Sequence, residues 1–571
     1  MTEFWQPEQH VQAQQNAEAI YNNQATYHTY APATPIPQVP AILLAGRTQT
    51  FVGREQDLAW LLQQLHDAAQ TVGRTIGICG PGGMGKTALV TEALAHLVTQ
   101  PDFASWYPDG IFYHSFYTTP SLEGMAEHLA RLFGEEPAAD PLAAARRVLS
   151  RKHVLLVFDG VEVLSEVRPL RDLAGRGTVL LLSRRKADAP DHAHRREVGL
   201  LSLEQGCALL RAVAGSRAAD QESVTRLVQT IGGYPLALQL IGSYLDTSGE
   251  EVSEFLSSFE QERQQVLAHP HLHQGEHQYQ SVHLVLQRSY AALAPQEQQA
   301  LAAIGLLALA PFPLVLLQPI LERPEQEVRQ SLGRLVNLSL LRRPQTAYEV
   351  SHPLVHTFAV QLLAPAFTTI PAATLQQWRT RWLETLVSQF TASDRYDASF
   401  LTLWLPHVLP LLTLQELTAA QQLSAATVLN MVGARTRAQG QYAQGEPLYQ
   451  RALHICEQCL GPDHPKVAYP LNGLAILYQG QGKSAQAESL YQRALHIREQ
   501  HLGPDHPLVV SSLNGLATLY QGQGKYAQAE PLYQRALHIG EQHLGPEHRL
   551  TQRVRDNYAI LQQVMGSKEI S

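Results

Sequence analysis

Cysteine is scarce, with four in 571 residues, too few for a disulfide framework, so a fold held by its own core in a reducing compartment is expected. An excess of positive charge is also missing. The 43 Lys+Arg are outnumbered by 51 Asp+Glu, giving a net charge of -8, so nothing draws the chain over distance toward a phosphate backbone or an anionic bilayer. Neither nucleic acid nor membrane is the expected partner. The first residues lack a basic stretch followed by an apolar one, so a cytoplasmic location is expected. The longest apolar run, residues 300–317, approaches the length of a membrane span but contains Pro311 and Pro313, and reads as a buried core helix followed by a turn. Apolar residues are plentiful at 45%, and at about 150 residues per domain the length predicts about four domains.

The first 45 residues stand apart, rich in Gln, Asn, Tyr, Thr and Pro, with Glu3, Glu8 and Glu18 as their only charges. Residues 1–46 are therefore expected to be a disordered tail, and their composition resembles that of short amyloid-type signalling motifs, a plain leader being the alternative. Further on, short β-branched or Leu-rich runs at 75–79, 110–116, 153–158 and 178–182 alternate with helical patterns such as 87–97 and 122–133. That alternation predicts a parallel sheet flanked by helices. From residue 281 the helical period dominates, interrupted near 340–350 by a stretch that could form a β-hairpin.

The C-terminal part repeats itself. Residues 471–512 and 513–554 are one 42-residue unit, identical at 32 positions, and a diverged copy begins at Leu429. Leu471, Leu474, Ala475, Tyr478, Ala487, Tyr491 and Ala494 alternate large and small residues as two antiparallel helices require, and the pattern resembles tetratricopeptide repeats of the 42-residue, kinesin-light-chain-like kind. Thr436 and Gly445 break it in the first copy. Residues 555–561 resemble the start of a fourth unit that covers the last apolar face. Grooves formed by such stacks usually bind proteins or peptides, so a protein or peptide ligand is the expected partner.

Chemistry is concentrated around Gly80-Pro-Gly82-Gly83-Met-Gly85-Lys86-Thr87. The segment satisfies every position of a phosphate-binding loop and lies between an expected strand and an expected helix. Its glycines allow backbone N–H groups to curl around phosphate, Lys86 places an ammonium there, and Thr87 offers a hydroxyl to Mg²⁺. Residues 153–158 form a β-rich run ending at Asp159, the expected magnesium carboxylate, and Glu162 could position a water or simply be a solvated loop residue.

Phe51-Val52-Gly-Arg54-Glu55, Ser183-Arg184-Arg185 and Gly233-Tyr-Pro235 accompany the loop. Together these motifs, over residues 51–363, resemble a STAND-class NTPase of the NB-ARC type, bacterial in kind. The resemblance implies a P-loop NTPase α/β domain over 47–190, a helical subdomain over 191–268 and a winged-helix domain over 280–365. A helical linker over 366–425 then leads to an α-solenoid of tetratricopeptide repeats over 426–571. It also implies ATP or ADP as cofactor with Mg²⁺, Val52 and Arg54 against the nucleotide, Pro235 on adenine, and Arg184, or Arg185 in the neighbouring register, as sensor of the γ-phosphate. Tyr348-Glu-Val-Ser-His352 resembles the motif whose histidine touches the β-phosphate of ADP, a structural role for a lone histidine being the alternative. Gly160 stands where the plant pattern has a second acid, as it does in many bacterial relatives, so slow ATP hydrolysis is expected.

The resemblance implies a switch that rests with ADP, activates with ATP and assembles into a homo-oligomer. A transcription regulator of the same class and a repeat scaffold with a structural nucleotide are the alternatives. Two constellations are set aside. Cys456 and Cys459 have no second pair and are replaced by Arg498 and His501, or Gly540 and His543, in the other units, which reads as variable surface. His269, His271, His273 and His277 belong to an expected linker.

Overall fold

The computed structural model describes residues 51–135, 140–189, 194–267, 277–343, 346–364, 370–392, 398–412 and 417–569. The tail over 1–46 and the cluster of His269, His271 and His273 lie outside these residues. The chain divides into two compact units, with the change at Trp382 and Leu383.

The first unit is built on a parallel sheet of β1 (Arg74–Cys79), β2 (Ile111–Ser115), β3 (Leu155–Asp159), β4 (Thr178–Ser183) and β5 (Arg195–Glu197), in the order β2-β3-β4-β1-β5. Every residue of β3 and β4 is buried, as continuous apolar strands are when both faces of a sheet are covered. Helices Leu122–Leu132 and Pro141–Leu149 pack on the sheet through Phe112, Met125, Leu129, Leu149, Phe158 and Leu181. Each such side chain contributes roughly 1.5–3 kcal/mol of burial. The strand order has one consequence for function. β4 lies between β1 and β3, with Cys79 level with Ser183 and Asp159 level with Leu182. The phosphate loop, Asp159 and Arg184 therefore emerge together at the C-terminal ends of adjacent strands, where open α/β sheets bind ligands.

The sheet runs past residue 190, where the α/β domain was expected to end. The fifth strand, Arg195-Arg196-Glu197, has no apolar alternation to reveal it and pairs only with β1, an edge position that suits charge. Helices Leu203–Ala214, Gln221–Ile231, Pro235–Ser248 and Val252–Leu267 follow. The first opens with a capping box between Ser202 and Gln205, and the second is capped by Asp220.

Next come helices His277–Ala291, Pro295–Ile304, Leu314–Leu321 and Glu325–Asn337, then an antiparallel hairpin of β6 (Leu341–Arg342) and β7 (Glu349–Val350), then helix Pro353–Gln361, so that His277 begins a helix and does not belong to the linker. The apolar run at 300–317 is interrupted. One helix ends at Ile304, and the next begins after Pro313, which fixes an extended N-cap. No described helix is long and apolar enough to cross a membrane.

The second unit is helical. Pairs Ala419–Ala438 with Tyr442–Leu460, Ala468–Gly480 with Ser484–Leu502, and Val509–Gly522 with Tyr526–His543 are closed by helix Arg549–Glu569, which buries Leu550, Val554 and Leu561. Each pair is locked to the next by a tyrosine on a glycine: a Cβ on Gly473 would overlap the Tyr449 ring, and one on Gly515 the Tyr491 ring. A second tie repeats with the units, where Tyr478 donates to Glu446 at 2.9 Å and Tyr520 to Glu488 at 2.9 Å.

The deviant first unit is self-consistent. Thr436 is fully buried, and a Cβ at Gly445 would stand 2.9 Å from its hydroxyl, so the two exceptions accommodate each other. The reading of Cys456 as a surface position is corrected. Cys456, Arg498 and Gly540 are all buried, and Arg498 donates to Leu508 O at 2.7 Å and Ser512 Oγ at 3.0 Å. Burial pushes the Cys456 thiol up to about 11. Among the described residues no group of three or more His, Cys, Asp or Glu could hold a metal ion.

Candidate functional site

The loop between β1 and helix Lys86–Val98 turns through left-handed residues. Gly85, at φ 84°, is the helix N-cap, and Gly83, at φ 79°, lies so close to Tyr234 that a Cβ would meet its hydroxyl at 2.7 Å. Lys86 is 8% exposed, and its Nζ donates to Gly80 O at 2.7 Å and Pro81 O at 2.9 Å. Burial pulls its ammonium below the usual lysine range, while Asp159 and Glu162 act against that pull.

Thr87 Oγ1 donates to Asp159 Oδ2 at 3.0 Å, joining the loop to the end of β3 across 72 residues of sequence. Tyr113, from β2, donates to the same oxygen at 3.4 Å. Burial raises the Asp159 carboxyl above its ordinary value, with Thr87 and Lys86 opposing. A hydroxyl and a buried carboxylate converging on one point form a hard-oxygen pair of the kind Mg²⁺ takes beside nucleotide phosphates. The residues present fit that ion.

On the other side of the loop, Glu162 pairs with Arg184 Nε at 3.0 Å and accepts from the Arg184 backbone N–H at 3.2 Å and from the Tyr117 hydroxyl. The Arg184 guanidinium lies 5.4 Å from the Tyr117 ring centre and borders Gly82. Arg185 instead turns back on its own loop, donating to Asp188 Oδ2 at 2.9 Å and Leu164 O at 3.2 Å. Of the two neighbours, Arg184 is the one at the phosphate loop.

Arg54 spans the start of the unit, donating to Met84 O at 3.2 Å and to Gly199 O, and pairing with Asp57 at 3.3 Å. Val52 is half-buried two residues earlier. Pro235 opens helix Pro235–Ser248 directly after Tyr234, whose hydroxyl donates to Gly82 O.

His352 is the N-cap of helix Pro353–Gln361, its Nδ1 accepting from Leu354 N–H at 3.1 Å. His464 and His506 cap repeat connectors in the same way, at 3.1 and 3.2 Å. What distinguishes His352 is its surroundings, where burial first, then Arg184, Lys86 and Arg342, hold its imidazole down at about 3. The cap requires Nδ1 unprotonated, which leaves Nε2 carrying the proton as a donor. The tyrosines at 113, 117 and 234 are site residues that sequence reasoning missed. The one signal that could have flagged any of them is the position of Tyr234 beside Pro235.

A profile of the AAA ATPase domain matches residues 50–344, more than half of the 571. The chain belongs to that family. This AAA ATPase also carries tetratricopeptide repeats, matched over residues 424–500, 487–542 and 508–567. It is similar to the regulatory protein AfsR of Streptomyces coelicolor, 25% identical over 334 residues, covering 55% of this chain and 32% of the relative. A nucleotide-binding leucine-rich repeat (NLR)-like protein of Hyaloscypha variabilis is 24% identical over 469 residues, covering 75% and 46%. The chain thus spans less than half of the length of these curated relatives. Among solved structures, a signal transduction ATPase with numerous domains (STAND) and a tetratricopeptide repeat sensor, from Pyrococcus horikoshii, aligns at 13% identity and a TM-score of 0.40, over 94% of this chain and 83% of that one.

Two half-buried histidines, His114 and His352, are expected to make the first unit acid-sensitive. His114 is held at about 4 by burial and His352 at about 3, against an unfolded value near 6.5, so below pH 6.5 the unfolded chain takes up protons that the fold refuses. Their stabilisation is complete above that pH and is lost as pH falls toward 4, on the order of 2 kcal/mol for each at pH 5. Urea titrations at pH 7.5 and 5.0 should show this loss. His352→Asn keeps a capping acceptor and should remove the His352 share of a contribution that His114, His128, His283 and His356 also make, and an unchanged difference between the two pH values would refute the assignment.

Proposed function

We propose that this chain is a nucleotide-dependent signal-transduction switch of the STAND class. ADP is held in the resting form and ATP in the active form, the repeats sense a protein or peptide ligand, and activated chains assemble. The observation that carries the reading is the gathering of Lys86, Thr87, Asp159 and Arg184 at the C-terminal ends of adjacent strands, with Thr87 bonded to Asp159.

In this reading Lys86 exchanges its bonds to the loop carbonyls for phosphate oxygens. Thr87 and Asp159 hold Mg²⁺, which neutralises phosphate charge when bound. Arg184 is the γ-phosphate sensor, held near the loop by Glu162 and Tyr117. Glu162 already accepts bonds on both oxygens, an arrangement for orienting Arg184 rather than for activating water, and this supports slow hydrolysis used as a reset. Arg54 and Val52 border the nucleotide, Pro235 meets the adenine, and the Nε2–H of His352 donates to the terminal phosphate of ADP. The helices over 295–337 with the β6–β7 hairpin serve as the winged-helix domain. Because ADP and ATP differ in what they offer Arg184 and His352, they differ in affinity for the two forms, which any such switch needs.

A second reading is a transcription regulator of the same class using the winged helix, and the Streptomyces relative carries the name of a regulatory protein. The net charge of -8 disfavours it, and salt-dependent DNA binding would establish it.

The test is to denature freshly purified protein, identify the released nucleotide by chromatography, and follow mass by sedimentation with ADP or a non-hydrolysable ATP analogue, in wild type and His352→Ala. About one ADP per chain, and a shift to higher mass in the variant with the analogue, is expected. Bound nucleotide with no dependence of mass on its identity would leave the scaffold reading in its place.

A further inference from the structure

The phosphate loop is held from outside as well as by its own lysine. Along it the backbone alternates in hand, Gly83 and Gly85 being left-handed at φ 79° and 84° while Gly82 and Met84 are not. Such alternation turns successive N–H groups toward one point and makes a cradle for an anion. In a trans peptide the carbonyl and the N–H point in opposite directions, so fixing a carbonyl also fixes where the next N–H is aimed.

The carbonyls that precede the two left-handed glycines are both taken. Gly82 O accepts from the hydroxyl of Tyr234, and Met84 O accepts from Arg54 Nη2 at 3.2 Å. Neither donor belongs to the loop. Tyr234 lies 152 residues beyond Gly82, as the N-cap of helix Pro235–Ser248, and is 1% exposed. Arg54 also donates to Gly199 O, and Leu201 N–H donates to Gly233 O at 2.9 Å, so the segments that carry the two donors are tied to each other. A Cβ on Gly53 would stand 2.7 Å from Gln205 Cβ, which seats the same segment on helix Leu203–Ala214. Residues 53–54, 199–205 and 233–235 form a collar on the loop.

Lys86 and Tyr234 divide three consecutive carbonyls between them, Lys86 taking Gly80 O and Pro81 O and Tyr234 taking Gly82 O. When the lysine turns to a phosphate, its two bonds are given up. The tyrosine bond can stay.

We propose that Tyr234 is a positioning residue of the nucleotide site. Its hydroxyl holds the Gly82–Gly83 peptide so that the Gly83 N–H is aimed at phosphate, and it thereby couples nucleotide affinity to the seating of helix Pro235–Ser248 on the loop. By linkage, whatever lifts that helix weakens the nucleotide, and bound nucleotide resists the lifting to the same degree. The inference rests on the nucleotide reading of the site and adds to it a residue that acts through the backbone.

Tyr234→Phe keeps the ring on Gly83 and removes only the hydroxyl. In the full-length chain, affinity for a fluorescent ADP analogue, read by anisotropy, should fall about threefold to tenfold, the scale of one hydrogen bond. Amide hydrogen exchange over residues 80–87 of the ligand-free variant should quicken, with its thermal melt unchanged. A residue that merely fills space predicts wild-type behaviour in both readouts. Wild-type affinity in Tyr234→Phe, with wild type binding and Lys86→Ala not, would overturn the proposal and leave the nucleotide reading intact. So would weaker binding with unchanged exchange over the loop, which places the hydroxyl on the nucleotide itself, or an early melt, which assigns it to the fold. Failure of wild type to bind would overturn both readings.

Discussion

Lys86→Ala is expected to abolish retention of ADP and ATP, lowering affinity by about a hundredfold or more, the scale of a lost charge-assisted bond to phosphate in a buried site. The side chain is committed to the loop before any ligand arrives. Its ammonium is almost enclosed and bonded to Gly80 O and Pro81 O. Alanine removes both the phosphate contact and the brace that holds the loop carbonyls, so a small loss of stability should accompany the loss of binding. Isothermal titration with ADP and Mg²⁺, and a thermal melt of the ligand-free protein, separate the two effects. Retention of nucleotide at wild-type affinity would refute the phosphate-loop assignment and with it the switch.

Gly473→Val should split the repeat stack. The Tyr449 ring lies over Gly473 from the preceding unit, fully buried, and its other edge is held by Gly433, where a Cβ would stand 3.1 Å away. The ring cannot slide from a new side chain, so one helix pair must move off the other, at a cost of roughly 3 kcal/mol or more. Stability in a solenoid is close to a sum of unit and interface terms, so the expected signature is a separate early melting step for the C-terminal repeats. Gly522 provides the comparison. A Cβ there meets nothing within 4 Å, and Gly522→Ala should be neutral or stabilising by up to about 1 kcal/mol. Equal melting of the two variants by calorimetry would refute the ring-on-glycine account of the interface.

How much of this was legible depends on whether the signal is local. The apolar runs around 75–79, 153–158 and 178–182 lie where β1, β3 and β4 form, because strands buried on both faces must be apolar throughout. The repeat announced itself by identity at fixed spacing. The strand at Arg195–Glu197 gave no such signal, since an edge strand can be charged and its one partner, β1, begins over a hundred residues earlier. Cys456 was misjudged for a related reason. Variation among Cys, Arg and Gly suggested surface, but the position is interior, and each unit fills it differently, Arg498 by bonding to the next helix.

The amino-acid sequence by itself determined the phosphate loop, the strand that ends at Asp159 and the repeat architecture, because each is written in contiguous residues whose chemistry requires that order. Only the tertiary structure decided that Arg184 rather than Arg185 stands at the loop, and that Tyr113, Tyr117 and Tyr234 brace Asp159, Glu162 and Gly82. These depend on strand register and on which way neighbouring side chains turn. A shift of one residue along a strand reverses the face a side chain occupies, and no local pattern records that choice.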